Sequence, residues 1–180
     1  MKTDATVSGT SAPVERRSSR LACAGKYLIF NISGEEFGAE VMKIKEIMAL
    51  QAITSIPNTA PYLKGVINLR GQVIPVVDLR IKFNLPPVEY NQRTCIVVVD
   101  THIDGKAMSM GAIVDAVADV LTLTEADIVD TPNFGKGSDS PYLLGMARVK
   151  GSVKILVDIQ KVLCSIEPME LERALAAGIN

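Results

Sequence analysis

The chain repeats itself, and the repeat limits the folds open to it. Pro61-Tyr62-Leu63-Lys64-Gly65 returns as Pro141-Tyr142-Leu143-Leu144-Gly145. The register then holds: Gly71 meets Gly151, Val73 meets Val153, and Val77-Asp78 meets Val157-Asp158. Between Pro61 and Asp78, eight of eighteen positions are identical at a fixed offset of 80, and basic Arg70 falls on basic Lys150. Upstream the match continues at a shorter offset, with Gly38-Ala39-Glu40-Val41 against Gly111-Ala112-Ile113-Val114. There Ile44, Glu46 and Ile47 fall opposite Val117, Asp119 and Val120. Two halves on one plan make a pseudo-symmetric molecule, with function on its surfaces or at the seam. Two copies are too few for a stacked solenoid, which needs about three or more.

At 180 residues and 48% hydrophobic, the chain has core material for one domain or two small ones. No Trp and 4% aromatic residues make that core aliphatic. A net charge of −1 sets up no global attraction to nucleic acid or an anionic membrane. Cys23, Cys95 and Cys164 are far apart and odd in number, which suits a reducing cytosol better than a disulfide framework. No apolar run approaches the roughly 18 residues of a membrane helix. Met1 to Ala24 also lacks a stretch of signal-peptide length. The expected location is cytoplasmic, without direct membrane insertion.

Residues 1–24, rich in Ser, Thr, Ala and Arg, read as a disordered lead-in. Tyr27 to Ile32 is a β-rich run, Ser33 to Glu36 stops it, and Phe37-Gly38 begins the return. Ile44 to Ile47 has an ambiguous period, strand or short helix, and Ile53 to Ile56 reads as a short strand. Val66 to Leu69 and Val73 to Val77 are the arms of a hairpin around Arg70-Gly71-Gln72, where Gly71 supplies positive φ. Pro75 cannot donate to a ladder, so its N–H side is expected outward or on an edge. Asp78 is expected to cap a short helix through Phe83, and Asn84 to Gln92 links the halves.

The second half replays this order. Cys95 to Asp100 is a strand, His102 to Lys106 a turn, and Ala107 to Val114 the return. A short strand and turn follow over Leu121 to Ile128, then a Gly/Ser/Pro loop from Pro132 to Pro141. A second hairpin, turning at Lys150-Gly151, leads to an Asp158-capped helix through Leu163. A terminal amphipathic helix starts at Pro168 and ends at Gly178, within a C-terminal segment 166–180. About five short strands per half argue for small antiparallel barrels or sandwiches, packed together along an apolar seam. The expected division is 26–90 and 91–165 within one domain spanning 25–165.

The parts for catalysis are missing. One His, His102, beside an Asp-Gly turn gives neither a metal site nor a Cys–His dyad. Gly135-Lys136-Gly137-Ser138 lacks phosphate-loop spacing. Asp78 and Asp158 stand at duplicated strand ends, which argues for caps rather than an acid/base pair. The chain is expected to be no enzyme and to need no cofactor or metal. Binding features remain. Arg70 at a hairpin tip is either a solvated turn charge or a bidentate contact to a partner carboxylate. Phe134, alone in its loop, either folds back onto the core or anchors an interface.

The run Pro57-x-x-x-Pro61-x-x-x-Gly65-Val-Ile-Asn-Leu-Arg-Gly71-x-Val-Ile-Pro-Val-Val-Asp-Leu-Arg80 resembles the signature of the CheW chemotaxis coupling protein family. Phe37-Gly38, Ile44-x-Glu46-Ile47 and Val114-Asp-x-Val-x-Asp-Val120 resemble its other landmarks, and the likeness covers about residues 26 to 165. It implies an all-β fold with minor helix: two intertwined five-stranded barrels of Src-homology-3-like topology. It also implies a scaffold bridging the cytoplasmic tips of chemoreceptors to the regulatory domain of the histidine kinase CheA, with other CheW copies as possible array neighbours. On that resemblance the receptor contact involves Ile44, Glu46, Ile47, Gly65, Asn68, Leu69, Arg70, Gly71, Val117 and Val120, and the kinase contact lies near Phe134. Two alternatives stay open: a CheW-like scaffold of a non-flagellar pathway, and a nucleic-acid-binding barrel. The second needs a basic face with stacking aromatics, which the composition disfavours.

Overall fold

The computed structural model describes residues 22–129 and 140–178. The first hairpin is β1 (Gly25–Ile32) and β2 (Glu35–Glu40); a 3-10 turn (Val41–Lys43) leads into β3 (Ile44–Ala49). The hairpin β4 (Leu63–Leu69) and β5 (Gln72–Asp78) is followed by α1 (Leu79–Lys82). Then come β6 (Cys95–Ile103), β7 (Lys106–Val114), β8 (Ala116–Leu123) and the short β9 (Ile128–Val129). The hairpin β10 (Leu143–Val149) and β11 (Ser152–Val157) precedes α2 (Ile159–Cys164) and α3 (Pro168–Gly178).

Two sheets result, one ordered β8-β1-β2-β11-β10-β9 and the other β3-β6-β7-β5-β4. The sequence division at about residue 90 is therefore not the spatial one. The hairpin β1–β2 joins the late strands, and β6–β7 joins the early ones, so the halves exchange a hairpin. Each exchanged hairpin docks by a parallel pairing at a glycine: Gly38 opposite Leu156, and Gly111 opposite Val76. A Cβ on Gly38 or Gly111 would lie 2.8 Å from Leu156 or Ile96. The glycines of the upstream repeat are thus the places where strands approach too closely for any side chain.

The exchange explains the apolar runs of β1 and β6. Leu28 and Phe30, like Val97 and Val99, face a central cluster shared by both sheets with Val77, Leu79, Val157 and Ile159. The alternate residues fill two separate barrel interiors: Tyr27 and Ile29 with Leu123 and Leu156, and Ile96 and Val98 with Ile67 and Ile74. Strands buried on both faces lose the polar alternation of a half-exposed sheet. The expected seam is this central cluster.

The second repeat is seen in detail. Both Gly65 and Gly145 sit at a register shift in their hairpins. The Asp78 amide donates to Tyr62 O and the Asp158 amide to Tyr142 O, each at 2.8 Å. Asp78 accepts from the amides of Arg80 and Ile81, and Asp158 from that of Lys161, so both carboxylates are helix caps.

Several local expectations need correcting. Ile44–Ala49 resolves its ambiguity as strand. The expected strand at Ile53–Ile56 is only a single bridge, Thr54 to Val66. His102 lies within β6 opposite Ala107, and the turn is the positive-φ pair Asp104-Gly105. Pro75 is buried in an interior strand rather than on an edge. It is tolerated because the ladder to β7 begins only at Val76. The lead-in was expected to be disordered through Ala24, yet Ala22 is buried and its amide donates to Leu144 O at 3.0 Å. Residues 1–21 and Phe134 lie outside the described residues.

Candidate protein-docking surface

The β4–β5 hairpin turns through two residues only, Arg70 (φ 52°) and Gly71 (φ 85°), both left-handed. That pair of positive φ values is the signature of a type I′ turn, whose twist matches its flanking strands. Asn68 Oδ1 accepts the Gly71 amide at 2.8 Å and holds the turn from one side. The repeat carries the same geometry at Lys150 (φ 50°) and Gly151 (φ 79°). The sequence pointed to Gly71; it did not mark Arg70, a non-glycine residue in a conformation that L side chains resist.

Arg70 does not stand alone at the tip. Its Nη2 lies 2.7 Å from Glu46 Oε2, on β3 at the opposite edge of the same sheet. The ion pair therefore links the two edges of the curled sheet. Arg70 is 73% exposed and Glu46 23%, so the guanidinium keeps donors directed at solvent. Among the described residues, Glu46 Oε1 is buried without a hydrogen-bond partner. Next along β3, on the other face of the strand, Ile47 is 43% exposed, while Ile44 is half-buried against the central cluster.

The remaining candidates divide. Asn68 is exposed at the tip, but Leu69 points into a barrel interior and Gly65 is buried. A Cβ on Gly65 would fall 2.0 Å from Thr54 O, so that glycine serves a backbone crossing (φ 139°). Val117 and Val120 lie on β8, an edge strand of the other sheet. Val117 packs on the same central cluster as Ile44, and Val120 is 50% exposed. They are the repeat partners of Ile44 and Ile47, so one type of surface occurs twice. In the second copy Asp119 accepts from the Val120 amide at 2.7 Å.

Sequence reasoning missed Met42, which is 92% exposed in the 3-10 turn immediately before β3. Exposed Met42 and Ile47 lie in sequence on either side of Glu46, which fixes the guanidinium, and apolar side chains of this kind suit a protein contact. Among the described residues no group of three His, Cys, Asp or Glu is placed to hold a metal ion. Asp100, held below the usual carboxylate range by Ser109 and Lys45, sits in an ordinary surface network. Among the described residues no helix is long and apolar enough to cross a membrane.

Comparison with known proteins places the fold and the sequence. The CheW-like domain model matches residues 26–167. Chemotaxis protein CheW of Klebsiella aerogenes is 39% identical over 142 residues, spanning 79% of this chain and 83% of that protein. Chemotaxis protein CheW of Rhizobium meliloti is 32% identical over 151 residues, 83% of this chain and 95% of its own. The crystal structure of the scaffolding protein TtCheW from Thermoanaerobacter tengcongensis superposes with a TM-score of 0.66 at 29% identity. That match covers 77% of this chain and 92% of TtCheW. The intertwined two-sheet fold, the duplicated hairpins and the matched sequence agree, and the chain belongs to the CheW-like domain family.

Proposed function

We propose that this chain is a non-catalytic coupling scaffold of bacterial chemosensory signalling. It joins the cytoplasmic tips of transmembrane chemoreceptors to the regulatory domain of the histidine kinase CheA, and works at the inner face of the membrane through the receptors. The observation that carries this reading is the Arg70–Glu46 pair on a rigid two-residue turn, with exposed Ile47 following Glu46 in β3 and exposed Met42 in the turn before that strand. A fixed charge beside apolar anchors gives both orientation and affinity to a protein partner. Family membership supplies the partner class. Receptor tips are assigned to the Arg70 and Ile47 surface, and the kinase contact to the second half near Phe134.

The reading is tested by titrating the full chain separately with a receptor cytoplasmic fragment and with the kinase regulatory domain, then with both. Saturable binding to each and a ternary complex at equal stoichiometry are expected. Competition between the two partners for a single site would overturn the bridging role.

A further inference from the structure

The internal symmetry of the molecule is broken at the C-terminal helix. In the first half, α3 lies on the base of the β4–β5 hairpin. Leu171, Ala174 and Leu175, spaced i, i+3 and i+4, pack there with Leu63, Val66 and Val77. Glu170 Oε2 accepts the Ala60 amide at 2.7 Å, and Arg173 donates to Asn58 O at 3.3 Å. Gly178 closes the contact, since a Cβ there would come within 2.5 Å of Val73.

The second half offers the same seat, with no equivalent helix among the described residues. An offset of 80 carries Leu63, Val66 and Val77 to Leu143, Met146 and Val157, and all three of these line an open apolar groove of about 570 Å³. Phe37 and Phe83, stacked with ring centroids 5.6 Å apart, form its far wall. Exposure follows the missing cover. Leu63 and Val66 are buried, whereas Leu143 and Met146 are half-buried. Val73 is half-buried near Gly178, whereas its counterpart Val153 is 47% exposed. Among the described residues the one charged side chain on the groove lining is Glu35.

We propose that this groove docks an amphipathic helix of a partner protein, seated as α3 is seated in the first half. The helix presents Leu or Ala at i, i+3 and i+4, with a Lys or Arg at its edge facing Glu35. The chain itself supplies the template for the occupant, because an equivalent groove built from the repeated residues is filled by a helix of this pattern. A second copy's α3 is a poorer occupant, since swapping it would uncover the first groove to fill the second. The site is separate from the Arg70 surface, so its failure and the failure of the receptor assignment are distinguishable.

The probe is a helix-stapled peptide of residues 167–178, titrated into isotope-labelled full chain and followed by amide chemical shifts. Saturable shifts are expected at Leu143, Met146, Val153 and Ile155, with those at Val66 and Val73 unmoved. Val153→Lys, at a site already exposed, should keep the fold and weaken binding about tenfold, the cost of losing one buried aliphatic contact. Met146→Lys should do the same, with a thermal melt to confirm folding. Shifts confined to Val66 and Val73 would mean that the peptide only displaces α3, and would overturn the proposal. So would absent binding, or binding indifferent to both variants. Concentration-dependent dimerisation abolished by Met146→Lys would assign the groove to a second copy instead. Binding seen only after residues 131–139 are replaced by a Gly-Ser linker would assign it to that segment.

Discussion

Arg70 Nη2 lies 2.7 Å from Glu46 Oε2, so the tip of one hairpin is pinned to a strand at the far edge of its sheet. An exposed pair of this kind contributes about 0–1 kcal/mol to folding. Its larger effect is on presentation: the guanidinium is held in one direction before a partner arrives. Exchanging the charges, Glu46→Arg with Arg70→Glu, should restore the internal pair and leave the urea midpoint near that of the parent. Receptor binding should still be lost, because the partner then meets the opposite charge. Recovered binding in the double variant would show that the pair matters only for local structure.

Two glycines near this surface should respond very differently to substitution. Gly71 has positive φ, but a Cβ there meets open space. Gly71→Val therefore costs only the left-handed strain, about 1–2 kcal/mol, plus a distorted tip. Gly65→Ala drives a methyl into Thr54 O at 2.0 Å and must break the Thr54–Val66 bridge. Its cost should exceed about 3 kcal/mol, as strain and a lost backbone contact combine. Chemical denaturation ranks the two, and equal losses would refute the distinction.

The repeat made much of this architecture legible, since both hairpins, both Asp caps and the seam follow from residues such as Gly71 and Asp78, and Pro168 and Gly178 marked the terminal helix. The hairpin exchange was not legible from the residues alone. Gly38 and Gly111 mark the close parallel approach, but a glycine does not name its neighbour, and Leu156 and Val76 are distant in sequence. Pro75 misled for a related reason, since whether a strand is interior depends on a pairing that starts one residue later. At the docking surface, Arg70 and Ile47 were visible from sequence. Met42 was not, because exposure of an apolar residue is a property of the fold.

The repeat also predicts an acid-sensitive difference between the barrels. Lys154, buried and paired with Glu36, stands where the first half has Ile74. Its cross-strand neighbour is Ala147, small enough to admit it, where Ile74 faces Ile67. Hydrogen bonding from Lys154 holds the Glu36 carboxyl below its ordinary value. The unfolded chain therefore takes up this proton first as pH falls, at about the unperturbed Glu value of 4.3. The stabilisation is complete above that value and disappears as pH drops through the lower folded value. Lys154→Met should flatten this part of the acid limb in melting curves taken from pH 7 to 3. An unchanged limb would show that the pair contributes nothing.

A phenol ties the linker between the halves to the first helix cap. Tyr90 donates to Asp78 Oδ2 at 2.7 Å, and burial together with that carboxylate pushes the phenol well above its ordinary value. The bond therefore persists across the physiological pH range. Tyr90→Phe should cost about 1.5–3 kcal/mol, the worth of a hydrogen bond to a charged group. Hydrogen exchange should show faster amides at Arg80 and Ile81, whose cap shares that carboxylate. Unaltered exchange there would separate the linker from the cap.

The most direct test of the coupling role is Arg70→Glu, read by three measurements on one preparation. The melting temperature should fall little, because the side chain is 73% exposed and surface changes usually stay near 0.5–1 kcal/mol. Affinity for a receptor cytoplasmic tip should fall at least about tenfold, since a lost contact is joined by repulsion. Affinity for the kinase regulatory domain should stay near that of the parent. Normal receptor binding by a folded Arg70→Glu protein, or loss of binding only through unfolding, would contradict the account.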